Sequence, residues 1–266
     1  MRRLTCYLCA VSFSLLLSVA SPAQSFPPCS ASPPARNPRP GVVGLNFSRD
    51  GRTLATANGD FTVKLWDVKA GRVFRTFKGH TNILYKAIFS PDEKLIASSS
   101  RDSTARIWDV ATGRELHTLA GHRCSVKSIA FSPDGKTLAS VSNDGAVKLW
   151  DVPTGRETRS LVHWKSRDFD ASVYSVVFIR DGTQLLTGNG DGTISIWDVA
   201  TGREVGIWKA HEQEVFALTL SRNGRLLGSA SESGFNAKLW DMATRREVRA
   251  LGSTRTPKPF SSLSQA

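Results

Sequence analysis

The chain has 266 residues, 40% hydrophobic and 22% charged, with a formal net charge of +12. Its four cysteines do not make a disulfide framework, and no zinc-ligand spacing, phosphate-cradling loop or dinucleotide fingerprint occurs. The basic residues are spread over turns and over outward strand positions such as Lys64, Lys148 and Lys238. That pattern solvates and protects sheet edges, and no aromatic-and-basic motif for nucleic acid accompanies it.

In chain order, Arg2 and Arg3 precede an apolar run from Leu4 to Val19 that ends in Ser18-Val19-Ala20. A basic start, an apolar middle and a small-residue cleavage pattern read as a secretory signal peptide over residues 1–20. The alternative is an uncleaved membrane anchor, but the run is shorter than the ~20 apolar residues that span a bilayer comfortably. The mature protein is therefore expected in the periplasm or outside the cell. Residues 21–40 are rich in Pro, Ser and Ala and read as a linker. Cys6 and Cys9 would leave with the leader, Cys29 sits in the linker and Cys124 in the body. No essential bridge is expected.

From residue 41 the chain repeats. Trp66-Asp67, Trp108-Asp109, Trp150-Asp151, Trp197-Asp198 and Trp240-Asp241 stand 42, 42, 47 and 43 residues apart, so one supersecondary unit is copied side by side. The third copy is the clearest. Ser125–Phe131 is a first strand, Ser132-Pro133-Asp134-Gly135 a turn, Lys136–Ser142 a second strand, and Asn143-Asp144-Gly145 another turn. Ala146–Asp151 alternates as a third strand, and Thr154-Gly155 turns into a fourth ending near Leu161. Phe47, Phe89, Phe131, Phe178 and Leu220 recur at one first-strand position and are expected between stacked sheets.

Short strands joined by tight turns pair antiparallel with their neighbours, and a lone four-stranded sheet cannot bury both faces. The fold class is thus all-β: a β-propeller of five four-stranded antiparallel blades over residues 41–252, followed by a flexible tail at 253–266. Five blades either open out into a five-fold ring or remain an open array completed by a second copy or a partner.

The repeats resemble the WD40 family over about residues 41–252. Gly79-His80 and Gly121-His122 stand 28 residues before their tryptophans, where that family has its Gly-His. The resemblance implies a structural tetrad of His, a second-strand Ser or Thr, a turn Asp and the Trp indole. By position these are His80, Ser100, Asp102 and Trp108 in blade 2, and His122, Ser142, Asp144 and Trp150 in blade 3. Blade 1 carries Asp60 and Trp66 with Asn58 at the Ser position; blade 4 has Asn189, Asp191 and Trp197. Blade 5 has His211, Ser231 and Trp240, with Ser233 near the Asp position. Because the Ser, His and Asp recur and are tied to an indole, they are read as scaffold, not as a catalytic triad.

The most individual segment is the insertion from His163 to Asp170, which the resemblance places on the face where the family docks partners. Trp164, Lys165, Arg167 and Phe169 in it, with Tyr85, Arg101, Arg123 and Asn143 nearby, are the candidate partner-binding residues. Asn189–Thr193 faintly resembles a calcium loop, but the twelfth position, which needs a bidentate Glu, is Ala200. No metal and no cofactor is expected. The functional expectation is an exported, non-catalytic scaffold that binds protein partners. Alternatives are a secreted binder of anionic surfaces or glycans, or, behind that, a propeller hydrolase or lyase. No nucleic-acid partner is expected; an anionic envelope surface and a homo-oligomer that closes the propeller are the remaining partner options.

Overall fold

Alternating residues between tight turns become four strands in every repeat of the computed structural model, which describes residues 41–162, 172–231 and 237–251. The first sheet holds β1 (Val42–Phe47), β2 (Thr53–Asn58), β3 (Thr62–Asp67) and β4 (Arg72–Lys78). The second holds β5 (Leu84–Phe89), β6 (Leu95–Ser100), β7 (Thr104–Asp109) and β8 (Glu115–Ala120), and the third β9 (Val126–Phe131), β10 (Thr137–Ser142), β11 (Ala146–Asp151) and β12 (Glu157–Val162). The fourth comprises β13 (Val173–Phe178), β14 (Gln184–Asn189), β15 (Thr193–Asp198) and β16 (Glu204–Lys209), and the fifth β17 (Val215–Leu220), β18 (Leu226–Ser231), β19 (Ala237–Asp241) and β20 (Glu247–Leu251). In each sheet the strands lie in sequence order.

The turns are built by short polar side chains. Ser48 Oγ donates to Asp50 Oδ1 at 2.7 Å and accepts from the Thr53 amide at 2.9 Å. The same pair recurs as Ser90–Asp92 and Ser132–Asp134. Gly51, Gly135, Gly182 and Gly224 close these turns with φ of 71 to 74°, a left-handed conformation that glycine adopts without a Cβ penalty.

The core lies between sheets rather than within one. β1 packs on β5, β5 on β9, β9 on β13 and β13 on β17, while the fourth strands make no comparable contact with one another. The first strands therefore converge at an inner edge and the fourth strands splay outward. The first interface buries Ala55, Ala57, Val63, Leu65 and Phe77 of one sheet against Leu84, Ala87, Ile96 and Trp108 of the next. Phe77 and Trp108 meet with ring centroids 5.7 Å apart, and each fully buried large side chain contributes about 1.5–3 kcal/mol. Equivalent clusters fill the next three interfaces.

The stack does not close: among the described residues no packing of that extent joins the fifth sheet to the first. The first-strand row shows the consequence. Phe178 is buried, Phe89 and Phe131 pack against their clusters, and Phe47 is 57% exposed because among the described residues no further sheet covers its side of the first one. Of the expected closures, the structure has the open array.

Candidate functional site

In blade 2 the Trp108 indole Nε1 donates to Ser98 Oγ at 2.9 Å. Ser98 Oγ lies 2.8 Å from His80 Nε2, and His80 Nδ1 lies 2.7 Å from Asp102 Oδ2. A carboxylate only accepts, so Nδ1 carries the ring proton, and a neutral ring then accepts from the Ser98 hydroxyl at Nε2. Blade 3 repeats this with Trp150, Ser140, His122 and Asp144: indole to Ser140 2.8 Å, Ser140 to His122 2.7 Å, His122 to Asp144 3.1 Å. The glycine before each histidine is crowded by the indole and by side chains of the cross-strand ion pair beside it, Arg106 and Glu115 at Gly79 and Glu157 at Gly121. A Cβ on Gly79 would stand 2.9 Å from Trp108, and one on Gly121 3.2 Å from Trp150.

The tetrad serines are thus Ser98 and Ser140, not Ser100 and Ser142. Residues two apart on a strand share a face, so Ser98 and Ser100 lie on the same side of β6. The height along the strand is set by register: Trp108 opposes Ile96, and its indole reaches one pleat along to Ser98. Ser100 Oγ instead donates to the Asn82 and Ile83 carbonyls and accepts the Asp102 amide, and Ser142 Oγ donates to the Cys124 carbonyl. Both fasten the second turn to the strand entry.

The same displacement corrects the other blades. Trp66 donates to Thr56 Oγ1 and Trp197 to Thr187 Oγ1, each at 3.0 Å. Asn58 and Asn189 are not the indole's partners: Asn58 Nδ2 bonds the Thr56 and Thr62 carbonyls, and Asn189 Nδ2 bonds Thr193 and Ser195. In blade 5 Trp240 and His211 both meet Ser229, at 2.8 and 2.7 Å, while Ser231 Oγ is buried with no hydrogen-bond partner among the described residues. Asp60 accepts from Thr62 and Lys64, and Asp191 from Thr193. Ser233 lies outside the described residues.

Electrostatics follow these contacts. Burial pushes the Asp102 carboxyl upward, but its bonds to His80, Thr104 and the Thr81 amide outweigh that and hold it well below the ordinary carboxylate value. Asp144 is lowered by His122 and backbone amides in the same way. The His211 ring is lowered by burial, then by the Lys238 ammonium. Ser98, though linked to His80 and Asp102 in triad order, is fully buried and its oxygen is held by an indole. No substrate carbonyl can approach it there.

The loops entering the blades gather at one end, fastened to the second turns by Arg101 N to Ile83 O, Asn143 N to Ser125 O and Gly190 N to Ser172 O. Of the candidate partner-binding residues, Tyr85, Arg101, Arg123 and Asn143 sit at this end; the Arg123 amide bonds Asp144. Trp164, Lys165, Arg167 and Phe169 lie outside the described residues. A further row emerges only from register. Every first strand slips by one residue near its start, so that Val43, Tyr85, Lys127, Tyr174 and Phe216 are the bulged positions of the ladder. Such bulges re-aim a side chain and bend the strand. Lys127 Nζ bonds the Tyr85 hydroxyl at 3.2 Å and stands 4.3 Å over its ring and 6.0 Å from the Tyr174 ring, a cation–π arrangement. Phe216, at the equivalent position of β17, is 46% exposed.

Two other groups stand out. Lys86 Nζ is largely buried between blades 2 and 3, donating to Ser128 Oγ at 3.2 Å and the Ile129 carbonyl at 3.1 Å; burial lowers it from 10.5 to about 8. Cys124 is disulfide-bonded, so a bridge is present where the sequence led to the expectation of no essential one. The spacing of four cysteines shows no framework, and a single long-range bridge leaves no local signature; its partner lies outside the described residues. Among the described residues no cluster of three or more His, Cys, Asp or Glu could hold a metal.

Five four-stranded antiparallel sheets, each with its third-strand tryptophan bonded to a second-strand hydroxyl, define a WD40-type β-propeller. The family model described as the IFT122 first beta-propeller matches residues 41–245, and the chain belongs to that family. No curated protein matches the chain.

Proposed function

We propose that the chain is an exported, non-catalytic scaffold that holds a protein partner at the end of the array where the blade-entry loops meet. The observation that carries this reading is the bulge row. Tyr85, Lys127 and Tyr174, each half-buried, and the exposed Phe216 occupy equivalent bulged positions of the first strands, and Tyr is among the residues that carry most of the binding energy at protein interfaces. The Ser, His and Asp groups are by contrast buried and committed to the indoles. The basic, apolar leader supports export, and a half-cystine at Cys124 fits an oxidising compartment.

The test is chemical cross-linking in the native envelope fraction followed by purification of the chain, comparing wild type with Lys127→Glu and Tyr174→Ala. A specific cross-linked band that disappears in both variants, with unchanged melting curves, supports the reading. Unaltered cross-linking in both variants would refute it. The charge of +12 favours, as a second reading, attraction to an anionic surface. Retention on anionic vesicles that collapses with added salt is the result expected of it; salt-indifferent behaviour removes it.

A further inference from the structure

Each of the four packed interfaces joins two unlike faces. The leading face of a blade carries small and branched side chains from its second, third and fourth strands: Ala97, Ala105, Ile107 and Leu119 in blade 2. The trailing face of the next blade carries bulkier ones, including Leu138 and Trp150 of blade 3. A polar latch accompanies the apolar rows. Arg159 of β12 reaches across to blade 4, donating to the Ala200 carbonyl at 2.8 Å and the Thr201 carbonyl at 3.1 Å. His117 of β8 sits 3.0 Å from the Pro153 carbonyl at the same place one interface earlier.

Both halves of a fifth such interface are present and unjoined. On the trailing face of blade 1, Val42, Leu45 and Phe47 are 52%, 66% and 57% exposed, and Trp66 is only half-buried where its four counterparts are buried. On the leading face of blade 5, Ala230, Ala237 and Leu239 are half-buried and Leu251 is 48% exposed. The latch is also in place. Arg249 opposes Leu239 as Arg159 opposes Leu149, and Lys69 and Ala70 follow Trp66 as Ala200 and Thr201 follow Trp197.

We propose that these two faces meet between copies of this chain, the leading face of blade 5 in one copy docking on the trailing face of blade 1 in another. The occupant is identified by the four interfaces already built inside the molecule: what covers a trailing face here is always a leading face of the same design. Head-to-tail pairing also follows from shape. Two trailing faces would set Phe47 and Trp66 against their own kind, and two leading faces would oppose their small residues and leave gaps. Only the unlike pair brings Arg249 to the carbonyls of Lys69 and Ala70. A contact of this type is heterologous and propagates until a ring closes or a chain forms.

The experiment is native mass spectrometry and light scattering on the purified full chain, compared with Phe47→Asp and with Leu251→Asp. Arg249→Glu serves as a second, polar variant of the blade 5 face, and circular dichroism monitors folding. All three residues are exposed, so folding should survive. Wild type is expected to form multimers that grow with concentration. Each variant keeps one working face and should be monomeric alone, whereas Phe47→Asp mixed with Leu251→Asp or Arg249→Glu should give a 1:1 heterodimer that grows no further. A single-chain mass for wild type at every concentration would overturn the proposal. So would self-association of either face variant alone, or failure of the folded variants to pair on mixing.

Discussion

Ser98 and Ser99 are adjacent, fully buried and opposite in role. Ser98 Oγ contacts both Trp108 and His80, while Ser99 Oγ has no hydrogen-bond partner among the described residues. Removing a shared partner strands two buried polar atoms, whereas removing an unsatisfied hydroxyl relieves a cost. Ser98→Ala should therefore lower stability by about 2–3 kcal/mol and Ser99→Ala should leave it unchanged or slightly higher, as read from urea unfolding midpoints. Lys86 offers a complementary test. Its depressed value means that the unfolded chain binds more protons than the folded one between about pH 8 and 10.5, so stability rises with pH across that window and the penalty is fully present below it. Lys86→Met should stabilise the protein at pH 7 by up to roughly 3 kcal/mol, and the gain should shrink as pH climbs from 8 towards 10.5.

Blades differ in how their polar clusters respond to acid. In blades 2 and 3 the lowered Asp102 and Asp144 mean that the folded state binds fewer protons than the unfolded one below the usual carboxylate value of 3.8. Their contribution is present above that value and is lost as pH falls beneath it. In blade 5 the lowered His211 makes the unfolded chain the better proton binder below 6.5, so that blade weakens earlier on acidification. Amide hydrogen exchange, corrected for intrinsic rates, should show protection falling in β17–β20 just below pH 6.5 while β5–β12 hold until pH drops below 3.8. Uniform loss of protection across all blades would contradict this ordering.

Across the whole molecule, stability accrues at four interfaces, each linking only neighbours, as in other repeat arrays. Blades 1 and 5 each have one packed face, so they should open before blades 2 to 4. The bridge at Cys124 adds a long-range constraint. If the leader is removed after Ala20, Cys29 is the one remaining cysteine that can pair with it. Peptide mapping of the secreted protein without reductant should then yield a Cys29–Cys124 linked peptide, absent after reduction. Two free thiols would count against both the bridge and export.

Much of this was readable from residue spacing. Trp-Asp pairs at 42 to 47 residues, Ser-x-Asp turns closed by glycine and alternation in the third strands determine five four-stranded blades, because each is a local rule of turn geometry or strand period. The facing sides were also legible, since period 2 assigns Ser98 and Ser100 to one face. Tertiary structure decided which of the two meets the indole, because that depends on cross-strand register and the reach of a large ring. It decided the Tyr85–Lys127–Tyr174 strip for the same reason: a one-residue slip in pairing breaks the alternation from which facing is read. Closure, too, lay beyond local spacing. Whether the fifth blade returns to the first depends on the summed rotation between stacked sheets, a property of side-chain packing that no single repeat encodes.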